Sequence, residues 1–259
     1  MQQEKTISVI VPVYNINEKF NENLQMLVSE LMGNDHKFEI IVVDDGSKNY
    51  QPSFEYLSDY IKFYHYDINQ GKGHALRYGF ERSIGDHIVF IDADMDLHPK
   101  DIRNFMHLME IYGVDAVIGS KRHPYSQVNY PKVRRLFSWL YQIFIRIFLN
   151  VRGVRDSQVG LKLFRREVLE KSLPRVVVKK YAFDLELLTV ASRLGYDKIL
   201  EAPIKLDYGK HDFGSDNPKE LIHLLKVGWP LLVDTFGIIY RLRIVKYYDK
   251  HNNSGKEKD

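Results

Sequence analysis

Two acidic clusters, each placed directly after a short apolar run, constrain the fold of this chain more than any other feature. The first run and its cluster occupy residues 39–47, with the sequence Glu-Ile-Ile-Val-Val-Asp-Asp-Gly-Ser. The second pair occupies residues 87–96, with the sequence His-Ile-Val-Phe-Ile-Asp-Ala-Asp-Met-Asp. β-Branched runs bounded by turn residues predict buried strands. Because open α/β sheets bind ligands beyond the carboxyl ends of their strands, both clusters predict a ligand site there.

Asp92 and Asp94 form an Asp-x-Asp pair within the second cluster. If the chain turns between them, both carboxylates reach one divalent ion. Mg²⁺ and Mn²⁺ prefer such oxygen ligands, and substrate phosphates usually complete their coordination shell. An isolated Asp-x-Asp is also typical of a solvated turn, because aspartate is a common turn residue. Two clusters on successive strand ends, with a glycine-rich segment between them, favour the metal site.

Strands and helices alternate over the N-terminal half of the chain. Further apolar runs predict strands at residues 7–15, 61–66 and 115–120. A helix is predicted from Glu18 to about Leu31, because its apolar residues recur at helical spacing, and a short helix is predicted near residues 53–60. The apolar stripe of the longer helix consists of Phe20, Leu24, Leu27, Val28 and Leu31. This alternation predicts an α/β fold with a mostly parallel, Rossmann-like sheet flanked by helices.

The glycine-rich segment opens a further predicted helix. It reads Asn-Gln-Gly-Lys-Gly at residues 69–73 and places glycines at a helix N-terminus. There the backbone N–H groups can approach an anion, and Lys72 adds a positive charge. A turn of this kind also occurs as a mere connector. Its spacing matches neither the phosphate loop of nucleoside triphosphatases nor the dinucleotide-binding fingerprint.

The charge of the chain is concentrated in its middle. Residues 121–180 hold 15 Lys and Arg against three acidic residues, whereas the net charge of the whole chain is only +3. This asymmetry predicts an anionic partner for the middle segment, either nucleic acid or a membrane surface. The absence of cysteine excludes disulfides and thiolate zinc sites and fits a reducing compartment. The N-terminus lacks the apolar core of a signal peptide, so a cytoplasmic location is expected.

An apolar and basic helix within this segment favours the membrane over nucleic acid. Residues 133–149 are almost entirely large and apolar, apart from a narrow polar stripe of Arg135, Ser138, Gln142 and Arg146. As a helix the apolar part would span roughly 21 Å, which is short of a hydrocarbon core of about 30 Å. An amphipathic helix lying in the membrane interface suits this pattern. The alternative is an ordinary helix packed on the sheet. A second apolar stretch, 227–240, is also too short to span a bilayer.

In order and spacing, four motifs of the first half resemble family 2 glycosyltransferases of the GT-A fold. They are Val-Pro-Val-Tyr-Asn at 11–15, Asp-Asp-Gly-Ser at 44–47, Asn-Gln-Gly-Lys-Gly at 69–73 and Asp-Ala-Asp at 92–94. The second half resembles polyprenyl-phosphate sugar synthases, namely the dolichyl-phosphate glucosyl- and mannosyltransferases and their prokaryotic relatives. This second resemblance rests on residues 119–122, 155–164 and 183–188 together with the basic apolar helix. The resemblance covers residues 6 to about 215.

The resemblance implies a donor site for a nucleotide sugar, either UDP-glucose or GDP-mannose. Asp45 would accept hydrogen bonds from the base and ribose of the donor. Mg²⁺ or Mn²⁺, held by Asp92, Asp94 and Asp96, would offset the charge on the leaving nucleoside diphosphate. The implied donor-binding residues are Pro12, Tyr14, Asn15, Asp44, Asp45, Gly71, Lys72, Asp92, Ala93 and Asp94.

The acceptor decides whether the reaction needs a general base. A lipid phosphate monoester has a second pKa of about 6, so it is anionic at neutral pH and attacks without losing a proton. Basic side chains would then suffice to orient it, since arginine in particular matches phosphate geometry. The expected contacts are Arg122, Arg135, Arg155 and Lys162, with Arg152 and Arg165 as further candidates. A hydroxyl acceptor would instead need a carboxylate base, either Asp156 or Asp184.

Three functions from different classes therefore stand at this point. The first is an inverting hexosyltransferase that acts on a polyprenyl phosphate while bound peripherally to the cytoplasmic face of a membrane, with a membrane protein or a second copy as a further partner. The second is a family 2 transferase with a saccharide hydroxyl acceptor in cell-surface glycan assembly. The third is a nucleotide-binding protein without sugar transfer; nucleic acid is not expected as a partner. The expected domains are a transferase domain at 1–215 with its interfacial helix at 131–150, a helical extension at 216–249 and a disordered tail at 250–259.

Overall fold

The structure is a computed structural model. It describes residues 5–15, 19–33, 36–48, 59–128, 132–149, 151, 153–206 and 218–250, with only the backbone described at 132–138, 218–227 and 250. Most of the short helix predicted near 53–60 lies outside the described residues, as does the predicted tail beyond residue 250.

Nine strands and eight α-helices are present in the described part of the chain. The strands are β1 (Thr6–Val13), β2 (Lys37–Asp44), β3 (Ile61–His65), β4 (His87–Phe90), β5 (Ala116–Ser120), β6 (Gln127–Val128), β7 (Lys162–Arg165), β8 (Ile199–Pro203) and β9 (Lys205–Leu206). The helices are α1 (Lys19–Met32), α2 (Lys72–Phe80), α3 (Asp101–Tyr112), α4 (Lys132–Phe148), α5 (Arg166–Ser172), α6 (Phe183–Arg193), α7 (Pro218–Ile239) and α8 (Tyr247–Lys250). A 3₁₀ turn at Leu173–Arg175 follows α5, and a π-helix at Tyr240–Ile244 follows α7.

Seven strands form one mixed sheet in the order β3-β2-β1-β4-β7-β5-β8. The first four strands are parallel to one another, as predicted from the alternation of strands and helices. Strand β7 then lies antiparallel between β4 and β5, and β8 is parallel to β5. The short strands β6 and β9 pair separately from this sheet. The mostly parallel sheet was predicted, whereas the antiparallel insertion of β7 was not.

Apolar side chains cover the central strands on both faces of the sheet. Val9 of β1 belongs to a cluster with α1 and α3, while its neighbour Ile10 belongs to a second cluster with α2 and α6. Parallel strands buried on both faces read as continuous apolar runs, which explains the β-branched runs that predicted them. The predicted apolar stripe of α1 is confirmed, because all five of its residues are buried.

Helices α4 and α7 pack against each other on the side of the second cluster. The Tyr141 hydroxyl lies 2.8 Å from Thr235 Oγ1, and the rings of Phe144 and Phe236 meet edge to face with centroids 5.3 Å apart. Ile145 of α4 is buried in the core. The predicted bounds of the basic apolar helix are close to those of α4, and the alternative of a helix packed on the protein holds for this one side of it.

The other side of this helix pair is exposed and strongly apolar. Trp139 of α4 is 52% exposed and Trp229 of α7 is 70% exposed. We call the set of exposed apolar residues the α4–α7 surface; it comprises Trp139, Leu140, Ile143, Ile147, Phe148, Trp229, Val233, Phe236, Tyr240 and Ile244. Large apolar surfaces of this kind mark sites of interaction with membranes or proteins. Among the described helices, none combines the length and the hydrophobicity required to cross a bilayer.

Candidate active site

The Asp-x-Asp turn follows β4 and is held in place by α1. The backbone N–H of Met95 donates to the Asp92 carbonyl at 3.1 Å and closes the turn. Met95 itself has a φ of 50°, in the left-handed region. From α1, the Asn23 amide donates to the carbonyls of Ala93 and Asp94 at 2.9 and 3.1 Å. The turn between Asp92 and Asp94 that the sequence required for a shared ligand is therefore present.

The first acidic cluster organises the loops around it. Asp44 accepts hydrogen bonds from the Ser47 backbone and hydroxyl at 3.1 and 2.5 Å, and it lies 3.0 Å from the His65 ring. Asp45 accepts from the backbone N–H groups of Gln70 and Gly71 at 2.7 and 2.8 Å, and from the Tyr66 hydroxyl at 2.8 Å. Both carboxylates are thus bound to the protein, and Asp45 fixes the glycine-rich segment at the start of α2.

Lys72, at the start of α2, forms an ion pair with the Asp-x-Asp turn. Its Nζ lies 2.5 Å from Asp92 Oδ1. Burial acts against both charges, but their attraction outweighs it, so the pKa of Lys72 is raised and that of Asp92 is lowered. The preceding Gly71 has a φ of 99°. A Cβ there would lie 2.6 Å from the Lys179 carbonyl oxygen, so this position requires glycine on two grounds.

A second ion pair lies at the start of α6. Asp184 Oδ1 lies 2.7 Å from Lys162 Nζ, and the Lys162 side chain is only 1% exposed. Burial, together with the charge of Lys72, lowers the pKa of Lys162, although Asp184 opposes this shift. The backbone of Gly160, just before β7, approaches Asp92 so closely that a Cβ would lie 2.0 Å from Asp92 Oδ2. Glycine at 160 is therefore what allows β7 to pass beside the turn.

Asp94 differs from Asp92 in its electrostatic environment. Burial raises the pKa of Asp94, and the like charges of Asp92 and Asp96 raise it further. Its Oδ1 accepts a hydrogen bond of 3.2 Å from the Asp96 backbone N–H. Of the two carboxylates on the turn, Asp92 is compensated by a lysine and Asp94 is the one that a bound cation would stabilise more.

These elements surround one cavity of about 680 Å³ at the carboxyl ends of β1, β2 and β4. Its size is that of a site for a small organic ligand or cofactor. Carboxylates and lysines face it from the Asp-x-Asp turn, from α2, from the start of α6 and from the loop before α6. The lining residues are Pro12, Val13, Tyr14, Asn15, Phe20, Asp45, Asn69, Gly71, Lys72, Asp92, Ala93, Asp94, Gln158, Lys180, Tyr181 and Asp184.

Residues 8–173, which carry most of this cavity, match the sequence model of the family described as Glycosyl transferase family 2. The chain belongs to glycosyl transferase family 2. Curated relatives of this family 2 chain include a dolichyl-phosphate β-glucosyltransferase of Dictyostelium discoideum, 32% identical over 73% of this chain and 62% of the relative. The human dolichyl-phosphate β-glucosyltransferase is 30% identical over 72% of this chain and 63% of its own length. The family 2 chain thus spans somewhat less than two thirds of these relatives.

A solved structure shows the same fold. Glucosyl-3-phosphoglycerate synthase from Mycobacterium tuberculosis, crystallised with Mn²⁺, UDP-glucose and phosphoglyceric acid, superposes with a TM-score of 0.66. The two share 20% sequence identity, and the match covers 91% of this family 2 chain and 80% of the synthase chain. The predicted GT-A fold is thereby confirmed.

Nine of the ten residues predicted for the donor site line the cavity. The tenth, Asp44, is absent from the described lining, because its carboxylate is turned to Ser47 and His65 instead. Asp45 reaches the cavity, but its oxygens already accept three hydrogen bonds from the protein. The contacts of these residues with a nucleotide sugar stay predictions.

The two predicted bases lie in different places. Asp184 lines the cavity and is paired with Lys162. Asp156 is buried outside the described lining of the cavity, where it accepts a hydrogen bond of 3.1 Å from the Lys121 backbone and lies 4.0 Å from the Lys121 ammonium. For Asp184 to act as a base, its ion pair with Lys162 would first have to loosen or break.

The residues predicted to bind the acceptor phosphate are not gathered at the cavity. Lys162 is buried, and its ammonium donates to the Asp184 carboxylate and to the Val159 carbonyl. Its charge is therefore already balanced within the protein. Within the described part of the chain, Arg122 and Arg155 do not contribute to the cavity lining. The Arg135 side chain and Arg152 lie outside what the structure describes, and Arg165 is the last residue of β7.

The predicted set of three metal ligands is not assembled. Asp92 and Asp94 line the cavity, whereas Asp96 is absent from its described lining. Among the described residues, no three His, Cys, Asp or Glu side chains are grouped closely enough to hold a metal ion by themselves. An ion at this turn would therefore need ligands from a substrate as well as from the two carboxylates.

Six lining residues were not among the predicted site residues. They are Val13, Phe20, Asn69, Gln158, Lys180 and Tyr181. Val13, Asn69 and Gln158 lie within the motifs that carried the family resemblance, and Phe20 belongs to the predicted apolar stripe of α1, so a signal for these four was available. Lys180 and Tyr181 had no motif of their own and reach the cavity only because the loop before α6 folds onto α2.

Proposed function

We propose that this chain is an inverting glycosyltransferase that moves a hexose from a nucleotide sugar to a polyprenyl phosphate at the cytoplasmic face of a membrane. The observation that carries the proposal is the cavity at the strand ends, lined by Asp92, Asp94, Lys72 and Asp184. The names of two curated relatives, dolichyl-phosphate β-glucosyltransferases that are 32% and 30% identical to this chain, support the acceptor and the sugar.

UDP-glucose is the donor we favour over GDP-mannose. The glucosyl relatives support the sugar, and the M. tuberculosis structure with UDP-glucose supports a uridine nucleotide on this fold. In the proposed complex the nucleotide lies over the ends of β1 and β2, where Tyr14, Asn15 and Asp45 line the cavity. Lys72, at the N-terminus of α2, would bind the diphosphate, because helix N-termini and lysine both favour anions.

Mg²⁺ or Mn²⁺ is the proposed cofactor, and the two aspartate ligands fit either ion. Asp92 and Asp94 offer two carboxylates from one turn to the cavity. Protein sites for Mg²⁺ commonly consist of one or two carboxylates completed by substrate phosphates, which agrees with the absence of a three-residue cluster among the described residues. Asp92 and Asp94 would hold the ion, and its charge would stabilise the leaving nucleoside diphosphate.

A phosphate acceptor suits the charges at the cavity better than a hydroxyl acceptor does. Asp184, the carboxylate available as a base at the cavity, is engaged by Lys162 at 2.7 Å. A phosphate needs no base, because it is already ionised at neutral pH. Lys180, which lines the cavity, supplies a cation that could contact it. Arg122 and Arg155 stay predicted contacts of the same phosphate.

The α4–α7 surface supports a peripheral position on a membrane. It presents two exposed tryptophans, Trp139 and Trp229, and the exposed Arg146 lies on the same helix as the first of them. Aromatic side chains favour the interface between head groups and acyl chains, and basic side chains favour anionic lipid. A lipid-linked acceptor would be presented at such a surface.

The deciding experiment is a transfer assay with both classes of acceptor. Purified protein is incubated with radiolabelled UDP-glucose and Mn²⁺, with either dolichyl phosphate in phosphatidylglycerol vesicles or a panel of soluble saccharides. We expect label in an organic-soluble, acid-labile product and none after chelation of the metal. Transfer to a soluble saccharide without a lipid product would establish the hydroxyl-acceptor alternative. Binding of UDP-glucose without transfer to any acceptor would establish the third alternative, a nucleotide-binding protein without sugar transfer.

A further inference from the structure

Glu186 is a fully buried carboxylate that joins two distant parts of the chain. It lies on α6, two residues after Asp184, and its side chain is 0% exposed. One oxygen, Oε1, accepts from the Arg241 guanidinium at 2.8 and 3.1 Å and from the Tyr248 hydroxyl. The other oxygen, Oε2, accepts from the backbone N–H groups of Val177 and Val178 at 2.8 and 2.6 Å. Both oxygens of this buried acid are thus satisfied, each by a different segment.

The segment bound by Oε2 forms part of the cavity wall. We call residues 176–181 the cavity-wall loop, because Lys180 and Tyr181 within it line the cavity. The α2 helix holds this loop at two other points. Arg77 donates to the Val176 carbonyl at 2.5 Å, and the Gly73 backbone donates to the Lys179 carbonyl at 2.8 Å. Glu186 adds the third attachment, at the middle of the loop.

The segment bound by Oε1 is the continuation of the α4–α7 surface. Arg241 belongs to the π-helix that follows α7, and Tyr248 belongs to α8. π-Helical turns are rare and occur frequently at functional sites. Within the same π-helix, Arg243 donates to the Phe148 carbonyl at the end of α4, at 2.8 Å. The two arginines therefore have different partners: Arg241 binds Glu186 in the first turn of α6, and Arg243 binds the end of α4.

The chemistry of the three side chains makes this attachment strong and dependent on its members. A buried carboxylate is costly unless it is paired with a cation and hydrogen-bonded. Arg241 supplies the cation. Burial and the adjacent Glu186 charge raise the pKa of Tyr248, which keeps its hydroxyl protonated and able to donate. Loss of Arg241 or Tyr248 would leave Glu186 undercompensated and weaken its hold on Val177 and Val178.

We propose that Glu186, Arg241 and Tyr248 form a positioning centre that sets the cavity-wall loop, so that the C-terminal segment determines how Lys180 and Tyr181 stand at the acceptor side of the cavity. That these two residues meet an acceptor phosphate rests on the proposed function. The centre itself rests on the contacts of Glu186. It gives residues 240–248 a positioning role at the active site, although none of them is in the described lining of the cavity.

Hydrogen exchange tests the centre independently of any activity. The variants Arg241→Gln and Tyr248→Phe are compared with Arg243→Gln, the matched control from the same π-helix. We expect the amides of Val177 and Val178 to exchange about tenfold faster in the first two variants, because each loses support for the bonds to Glu186. They should exchange at the original rate in Arg243→Gln. If Arg241→Gln does not fold, Tyr248→Phe decides, since it removes one hydroxyl and keeps the ion pair.

Transfer kinetics then test the position of the loop. In Tyr248→Phe, and in Arg241→Gln if it folds, KM for dolichyl phosphate should rise several-fold while KM for UDP-glucose and kcat stay near their original values. Arg241→Lys keeps the charge and should restore much of the acceptor KM. Unchanged exchange at Val177 and Val178 in both variants, or equal acceleration in Arg243→Gln, would overturn the centre. Absence of lipid transfer by the unmodified protein would instead overturn the proposed function and leave the exchange result to decide the centre.

Discussion

Asp92 and Asp94 stand one residue apart, yet their surroundings give them different tasks. Lys72 Nζ lies 2.5 Å from Asp92 and already compensates its charge. Asp94 has less compensation: burial and two neighbouring carboxylates raise its pKa, and the Asp96 backbone N–H and Lys72 offset this only in part. A divalent cation therefore gains more from Asp94, while Asp92 links the cation site to the lysine at the start of α2.

The first prediction follows from this difference. Asp94→Ala should abolish the Mn²⁺-dependent part of UDP-glucose binding and leave the fold intact, because the lost carboxylate faces the cavity. In a thermal-unfolding assay, a ligand at 100 times its Kd stabilises a protein by about 2.7 kcal/mol. We expect this stabilisation in the unmodified protein with Mn²⁺ and UDP-glucose, and no Mn²⁺-dependent stabilisation in Asp94→Ala. Asp96→Ala is the control, and a retained Mn²⁺-dependent shift in Asp94→Ala would contradict the assignment of Asp94.

His87 predicts how the stability of the protein changes with pH. It is buried at the start of β4, and burial, with Lys5 as a secondary cause, lowers its pKa to about 4. In the unfolded chain the pKa is about 6.5, so between these values the unfolded state binds more protons. The stabilising contribution is complete above pH 6.5 and is lost as the pH falls toward 4. The free energy of unfolding should be about 2 kcal/mol lower at pH 5 than at pH 7.

Urea unfolding of a variant at the two pH values checks this expectation. His87→Asn should remove most of the difference, because the side chain that takes up the proton on unfolding is gone. His107→Asn, which changes an exposed histidine of α3, should retain the difference. If His87→Asn retains it as well, other groups are responsible for the pH dependence.

At the scale of elements, α4 and α7 combine two properties that the sequence could not separate. One side of the pair is core, since Ile145 and Leu149 are buried there. The other side carries Trp139 and Trp229 in solvent. Helical periodicity showed a narrow polar stripe on α4 and left two interpretations, an interfacial helix and a helix packed on the protein. The packed interpretation is confirmed for one side, and the interfacial helix stays a prediction for the exposed side, because a helix that is apolar around most of its circumference can bury two faces.

This arrangement predicts how the protein binds lipid. Replacing both Trp139 and Trp229 with Ser should weaken the salt-resistant part of binding to phosphatidylglycerol vesicles at least tenfold, since each buried tryptophan contributes on the order of 2 kcal/mol. Arg146→Gln should weaken only the salt-sensitive part, by about 1 kcal/mol. Vesicle pelleting at low and high salt separates the two effects.

Ile111→Ser provides the matched control, because Ile111 is 73% exposed on α3, away from the two helices. If it reduces pelleting as strongly as the tryptophan variant does, the binding is not specific to the α4–α7 surface. Pelleting unaffected by the tryptophan variant would assign the surface to a protein partner or to a second copy of the chain.

At the scale of the whole molecule, sequence reasoning reached those features that lie next to each other along the chain. The strands β1, β2 and β4 were predictable because their β-branched runs are buried on both faces, and the Asp-x-Asp turn because it follows one of them directly. Strand β7 was missed, since four residues that include Lys162 and Arg165 do not resemble a central strand. Only the folded chain shows that Asp184 balances the charge of Lys162 there.

The predicted site residues that do not line the cavity were misplaced for the same reason, because their positions depend on contacts between distant parts of the chain. Lys162 was expected at the acceptor phosphate because it lies in a basic segment, but a basic segment does not reveal which of its charges already have partners. Lys180 was overlooked because its position depends on Glu186 of α6 and on Gly73 and Arg77 of α2, which hold the cavity-wall loop from two different helices. Such tertiary contacts leave no local pattern in the sequence.

The insertion of β7 between β4 and β5 has a consequence for the order in which the protein can fold. While the chain is being synthesised, β1 to β4 can assemble from the first 90 residues, but the free edge of β4 pairs only with residues 162–165. Until those residues emerge from the ribosome, Ile88 and Phe90 lie on an open strand edge, and such edges template aggregation. The shortest N-terminal fragment that closes this edge therefore extends through Arg165, and β5 joins the sheet only through the same late strand.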